Sequence, residues 1–206
     1  MARALPRAAQ YARVARLDAI ARGYAAEAQQ ARAASGLPDF AEAPAAHRAL
    51  IRRHAMSPRI MLIYRTQANP NYLDLSLDPS ERAVGSIFSP RPDLFNYHAF
   101  GLAHVVTPEA WLSTWSGISS QANLIRNLQR VTVPTLVVGA MGDQDIFVGD
   151  AHAEFAASGA SDKQLEFIEG ADHFMRAGGS RAQLGDPRPR LMKVLSGWTR
   201  ERFAPA

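Results

Sequence analysis

The sequence predicts an α/β protein whose C-terminal half is built around one βαβ unit, and three observations carry that expectation. Two short apolar runs, Thr135–Val138 and Gln164–Ile168, flank an Ala-rich segment of helical composition, Gly149–Gly159. Leu136-Val137-Val138 is continuous rather than alternating, as strands buried on both faces are. A crossover of this length makes the two strands parallel and neighbouring. The loops after both strands then leave from one edge of the sheet, where ligands of open α/β sheets gather. That edge receives Gly142-Asp143-Gln144-Asp145 after the first strand and Gly170-Ala171-Asp172-His173 after the second. A carboxylate and an imidazole so placed let an acid orient a histidine base.

The elements follow in order. Residues 1–34 are expected as a helix, with Tyr11, Val14, Leu17, Ala21 and Tyr24 recurring at three- and four-residue steps on one face. Gly36 and Pro38 stop it. A shorter helix is expected over 39–56, and a strand or buried segment over Arg59–Tyr64. Residues 66–100 are rich in Asn, Pro, Asp and Ser and predict a long irregular stretch, functional or lid-like. Thr107-Pro108 is a helix start, with Thr at the cap and Pro at the first position. Trp111 and Trp115 lie four apart and are expected on one helix face as core residues, with a substrate-lining role as the lesser alternative. A helix over 121–130 leads into the βαβ unit. A last helix over 189–203 carries Leu191, Val194, Leu195 and Trp198 on its apolar side. His98 and His104 are expected as ordinary core or surface residues.

Composition excludes several classes. Hydrophobic residues at 47% and charged residues at 20% belong to a folded domain, not a disordered chain. The net charge is +4, yet the arginines scatter and only Arg52-Arg53 are adjacent, which argues against a nucleic-acid partner. No apolar run approaches a membrane span and no secretory signal opens the chain, so neither membrane nor export is expected. Cysteine is absent, which removes disulfides, a thiol nucleophile and Cys-held metals, and suits a cytoplasmic location. No metal-ligand spacing occurs, and no cofactor is implied.

PTLVVGAMGDQD followed by LEFIEGADHF resembles the last two core strands of the α/β-hydrolase superfamily. YLDLSLDPSERAVGS and TPEAWLSTWSG extend the resemblance upstream, to the cap and cap-to-core region of one bacterial group. The triad order in that family is Ser, acid, His. The resemblance assigns the acid to Asp143 and the base to His173, with Asp145 as the alternative acid. It implies a cap-like, mainly helical region over 1–107 and the C-terminal part of the hydrolase core over 108–206. A closing helix beside the last strand is implied as well. The implied substrate is a small-molecule ester, or a related acyl or carbon–carbon bond.

The family's nucleophile sits in G-x-S-x-G on a strand-to-helix turn. Three serines follow a glycine by two residues: Ser119, Ser161 and Ser180. Ser119 falls in a helical region, Ser161 precedes its strand and Ser180 follows the histidine. None has the required context, so no nucleophile is expected within these residues. The elbow strand, early strands and oxyanion loop would precede Met1. The expected protein is thus the C-terminal portion of a hydrolase, inactive alone. The alternative is a non-catalytic remnant or association module, pairing with itself or with an N-terminal half. Simpler roles also stand: turn residues for Asp143 and Asp145, and a hydrogen-bonded structural role for His173.

Overall fold

The computed structural model describes residues 7–56, 59–64, 68–97 and 104–203. In chain order its elements are α1 (Arg7–Ser35), α2 (Ala45–Met56), β1 (Met61–Leu62), α3 (Pro92–Phe95), β2 (Val105–Val106), α4 (Pro108–Ala110), α5 (Leu124–Leu128), β3 (Thr135–Ala140), α6 (Val148–Ala157), β4 (Lys163–Ile168) and α7 (Arg188–Phe203). The fold is mixed α/β. The expected helix over residues 1–6 and the side chain of His98 lie outside the described residues. Among the described residues no helix is long and apolar enough to cross a membrane.

The chain divides into two compact units, at other places than the 107/108 boundary expected from the sequence. One comprises 1–67 and 96–123, the other 68–95 and 124–206. The reason lies in two sets of hydrogen bonds. Trp111 and Ser119 are tied back to Asp18 on α1, which keeps 108–123 with the first unit. Glu81 is tied to the loops after β3 and β4, which keeps 68–95 with the second.

In the first unit, α1 buries Ala21, Ala28 and Ala31, small side chains that let neighbouring backbone approach closely. Met61, Ile63, Val106 and Trp111 form a cluster with Ala21, joined by Val14, Leu17 and Tyr24. That is the expected stripe of α1 except for Tyr11, which is 63% exposed. β1 pairs antiparallel with β2, Met61 opposite Val106. Regular pairing is shorter than the expected Arg59–Tyr64. Alternation nonetheless persists, with Met61 and Ile63 buried and Leu62 and Tyr64 exposed. Thr107 caps α4 by accepting the Ala110 N–H at 3.2 Å. The next turn, Trp111–Trp115, is π-helical, closed by the Ser116 N–H on the Trp111 carbonyl at 2.8 Å. Trp111 is buried and Trp115 is 43% exposed, so the expected core position holds for Trp111 and not for Trp115. Asp18 is buried beneath this turn, accepting from Trp111 Nε1 at 2.8 Å and from the Ser119 hydroxyl.

In the second unit, β3 and β4 pair in parallel from Thr135 opposite Lys163 to Ala140 opposite Ile168, with α6 as the crossover. Their side chains alternate between two faces. Ala140 and Ile168 pack with Val138, Leu191 and Val194, on the α7 side. Gly139 and Phe167 face α6: a Cβ on Gly139 would meet the Phe167 ring at 2.6 Å and the Ala151 methyl at 3.4 Å. Glycine there lets Phe167 lie across the neighbouring strand. α5 is shorter than the expected 121–130, because Ser116 and Ser120 hydroxyls accept the N–H groups of Ile118, Ser119 and Ala122 and hold that approach in turns. Among the described residues, β3 and β4 are each other's only strand neighbours.

Candidate functional site: an acid–histidine pair inside a collar

The loops after β3 and β4 run side by side. The Met141 N–H donates to the Ile168 carbonyl at 3.1 Å and the Gly142 N–H to the Ala171 carbonyl at 2.8 Å, extending the register beyond the strands. Position 142 requires glycine, because an added Cβ would stand 2.8 Å from the Ala171 oxygen. The next residue is Asp143. Its Oδ1 accepts the Asp145 N–H at 2.8 Å and the Ile146 N–H at 3.1 Å, an Asx turn that fixes the carboxylate.

On the other loop, Gly170 turns the chain at φ +67°. Asp172 then closes a tight bend, accepting the N–H groups of Phe174 and Arg176 at 2.8 and 2.9 Å and pairing with the Arg176 guanidinium. Burial opposes ionisation of Asp172, but these bonds outweigh it and hold its carboxyl below the usual range. Asp172 is thereby a framework residue, and the bend presents His173.

His173 Nδ1 lies 2.9 Å from Asp143 Oδ2 and 3.1 Å from Oδ1. The Asp143 side chain is 8% exposed and that of His173 30%. An ionised carboxylate only accepts, so in the neutral imidazole Nδ1 carries the proton and Nε2 the lone pair. That is the tautomer of a general base. Among the described residues, Asp143 is the only hydrogen-bonding partner of the ring. A cavity of about 180 Å³ adjoins the pair, walled by Val138, Phe147, Phe167 and Met175. Glu154 also borders it, its carboxyl pushed up by burial and then by the charge of Asp150.

Asp145 is engaged elsewhere. It accepts from the Tyr72 hydroxyl and from the Ile87 backbone, while its Oδ1 is buried without a partner. Burial, then the charge of Asp143, raises its carboxyl above the usual range against the pull of those bonds and of His173. Tyr72 is pushed upward in turn, by burial and by Asp145. The geometry thus gives His173 to Asp143 and leaves Asp145 on Tyr72.

Residues 69–86 form a collar around these loops. Asp78 accepts the Gly149 N–H in the first turn of α6 at 2.8 and 3.1 Å. Gln144 reaches the Ala83 and Val84 carbonyls. Arg82, almost fully buried, donates to the carbonyls of Leu77 and Asp78 and stacks over Phe147 at 5.1 Å. Glu81 touches the loops after β3 and β4 at once. Tyr72, Asp78, Glu81 and Arg82 all lie in the YLDLSLDPSERAVGS segment that carries the upstream resemblance, but no pattern gave any of them a role. The available signals were that resemblance and the Asp-, Pro- and Ser-rich character of a long stretch without periodicity.

Among the described residues none of the three serines hydrogen-bonds His173. The Ser119 hydroxyl is taken by Asp18 in the first unit. Ser161 precedes β4 at the opposite end from His173, on the order of 20 Å away along a six-residue strand. Ser180 sits in a 3₁₀ segment, with its N–H on the Glu81 carbonyl at 2.7 Å. Among the described residues no three His, Cys, Asp or Glu side chains gather in a metal-binding cluster. No family model, no curated protein and no solved structure matches the chain.

Proposed function

We propose that Asp143 and His173 are the acid and base of a Ser-His-Asp triad, and that this chain is the C-terminal portion of an α/β hydrolase. The observation that carries the proposal is the buried Asp143 carboxylate, fixed by two backbone N–H groups and bonded to Nδ1 of His173 beside a cavity. The serine is supplied by a segment outside these residues. His173 Nε2 takes the proton of that serine as its oxygen attacks an ester or related carbonyl. It then delivers the proton to the departing group, and water repeats the cycle on the acyl-enzyme. Asp143 stays ionised, holds the tautomer and stabilises the imidazolium. No cofactor takes part.

Co-expression with the polypeptide encoded immediately upstream tests this. The expected result is hydrolysis of a p-nitrophenyl ester that is lost in His173→Ala. Turnover unchanged by that substitution contradicts the proposal. So does an upstream region that encodes no strand, G-x-S-x-G and helix. A second function has its own supporting observation, the single-neighbour pairing of β3 and β4. Parallel strands with open edges favour further pairing, and the chain would then act as an association module, with itself or with an N-terminal half. Size-exclusion chromatography separates the two: an inactive assembly whose size is unaffected by an upstream partner favours the module.

A further inference from the structure

We infer that Glu81 is the positioning residue that sets the Asp143–His173 distance, an inference that rests on the acid–base role proposed for that pair. Glu81 lies in the irregular stretch 68–95 and is 8% exposed. Its side chain and both of its backbone groups go to the loop after β3 and to two points of the connection from β4 to α7. Oε2 accepts the Gly170 N–H at 2.6 Å, three residues before His173. Its N–H donates to the Met141 carbonyl at 2.9 Å, two residues before Asp143. Its carbonyl accepts the Ser180 N–H at 2.7 Å, and a Cβ on Gly179 would stand only 2.3 Å from that oxygen. Oε1 faces Arg181 Nε at 3.4 Å, and Arg181 in turn pairs with Glu169 at 2.8 Å.

The loop after β3 and the loop after β4 are therefore referenced to one residue. A charged acceptor on a backbone N–H is short and stiff. Gly170 also leans on the Arg181 carbonyl, where an added Cβ would stand at 2.7 Å, so the loop has little room to drift while the Glu81 bond persists. Removing that acceptor leaves the Gly170 N–H without its partner and frees the turn that presents His173. Hydrogen bonding and catalysis both depend on sub-ångström placement of the imidazole, and Glu81 supplies it from outside the βαβ unit.

The test follows the Nδ1 proton of His173 by NMR in the full chain, since a carboxylate-bound imidazole proton is shifted far downfield and protected from exchange. Asp143→Asn assigns it. The resonance is expected in wild type and in Glu81→Gln, whose amide oxygen still accepts from Gly170. It is expected to disappear in Glu81→Ala, and in Glu81→Asp, which is one methylene too short. Circular dichroism and thermal melting accompany each variant. If Glu81→Ala does not fold, Glu81→Asp carries the same comparison. A folded Glu81→Ala or Glu81→Asp with a lower melting temperature but an unchanged resonance overturns the inference and leaves Glu81 a stability residue. Loss of the signal in Glu81→Gln overturns the acceptor role. A wild-type chain without the resonance refutes the acid–histidine pairing itself.

Discussion

The βαβ unit over 135–168 and the collar over 69–86 meet the same loops by opposite means. The βαβ unit is regular: a six-residue parallel register, a crossover helix and apolar side chains on two faces. The collar has one three-residue 3₁₀ turn and is held by side chains gripping backbone. Arg82 reaches carbonyls four to eleven residues back, and Glu81 reaches an N–H 89 residues ahead. One region owes its shape to burial, which is spread over many small contacts. The other owes it to individual hydrogen bonds, each of which is either made or missing.

The largest effects should fall where the two regions meet, at the pair itself. On the proposed triad, His173→Ala and Asp143→Asn in the chain co-expressed with its upstream polypeptide should each lower ester turnover by about a thousand-fold or more, while Asp145→Asn should leave most of it. A p-nitrophenyl ester assay reads all three. Within the regular region, Gly139→Ala should cost about 1–3 kcal/mol, because its methyl would enter the Phe167 ring. Urea denaturation measures it. Cooperative loss of the whole unit is expected, as befits a packed core.

Within the collar, Asp78→Ala should cost about 1 kcal/mol by removing a carboxylate from the start of α6. Asp78→Asn should restore most of that, since it keeps an acceptor and tolerates the backbone φ of +57°. Thermal melts of the two variants give the comparison.

The smallest effect is the most pointed. Asp145 has its carboxyl raised in the fold, chiefly by burial. Such a group favours the folded state below its unfolded value, and that contribution is lost as pH rises through the folded value. Asp145→Asn should therefore match wild type in acid. Near neutrality it should be more stable, by under about 1 kcal/mol. Denaturation at several pH values shows it. Greater stability of wild type at neutral pH would mean that Asp145 is a needed anion.

What the sequence discloses follows the same division. The runs Thr135–Val138 and Gln164–Ile168 and the Ala-rich crossover give the parallel strands to within two residues, the first by its continuous Leu136-Val137-Val138. The loop positions of Asp143 and His173 follow from that topology. The choice between Asp143 and Asp145 does not, since both follow the strand and only the Asx turn separates them. The collar has no period to detect, and its partners outside the stretch lie 60 to 100 residues away. Trp111 and Trp115 have helical spacing, but the π-turn between them is set by the Ser116 bond and not by the spacing.

The most direct test of the pairing is the His173 Nδ1 proton in the wild-type chain, in Asp143→Asn and in Asp145→Asn. The geometry predicts a far-downfield, exchange-protected resonance in wild type and in Asp145→Asn, and its loss in Asp143→Asn. A resonance that survives Asp143→Asn, or one that vanishes with Asp145→Asn alone, would contradict the account.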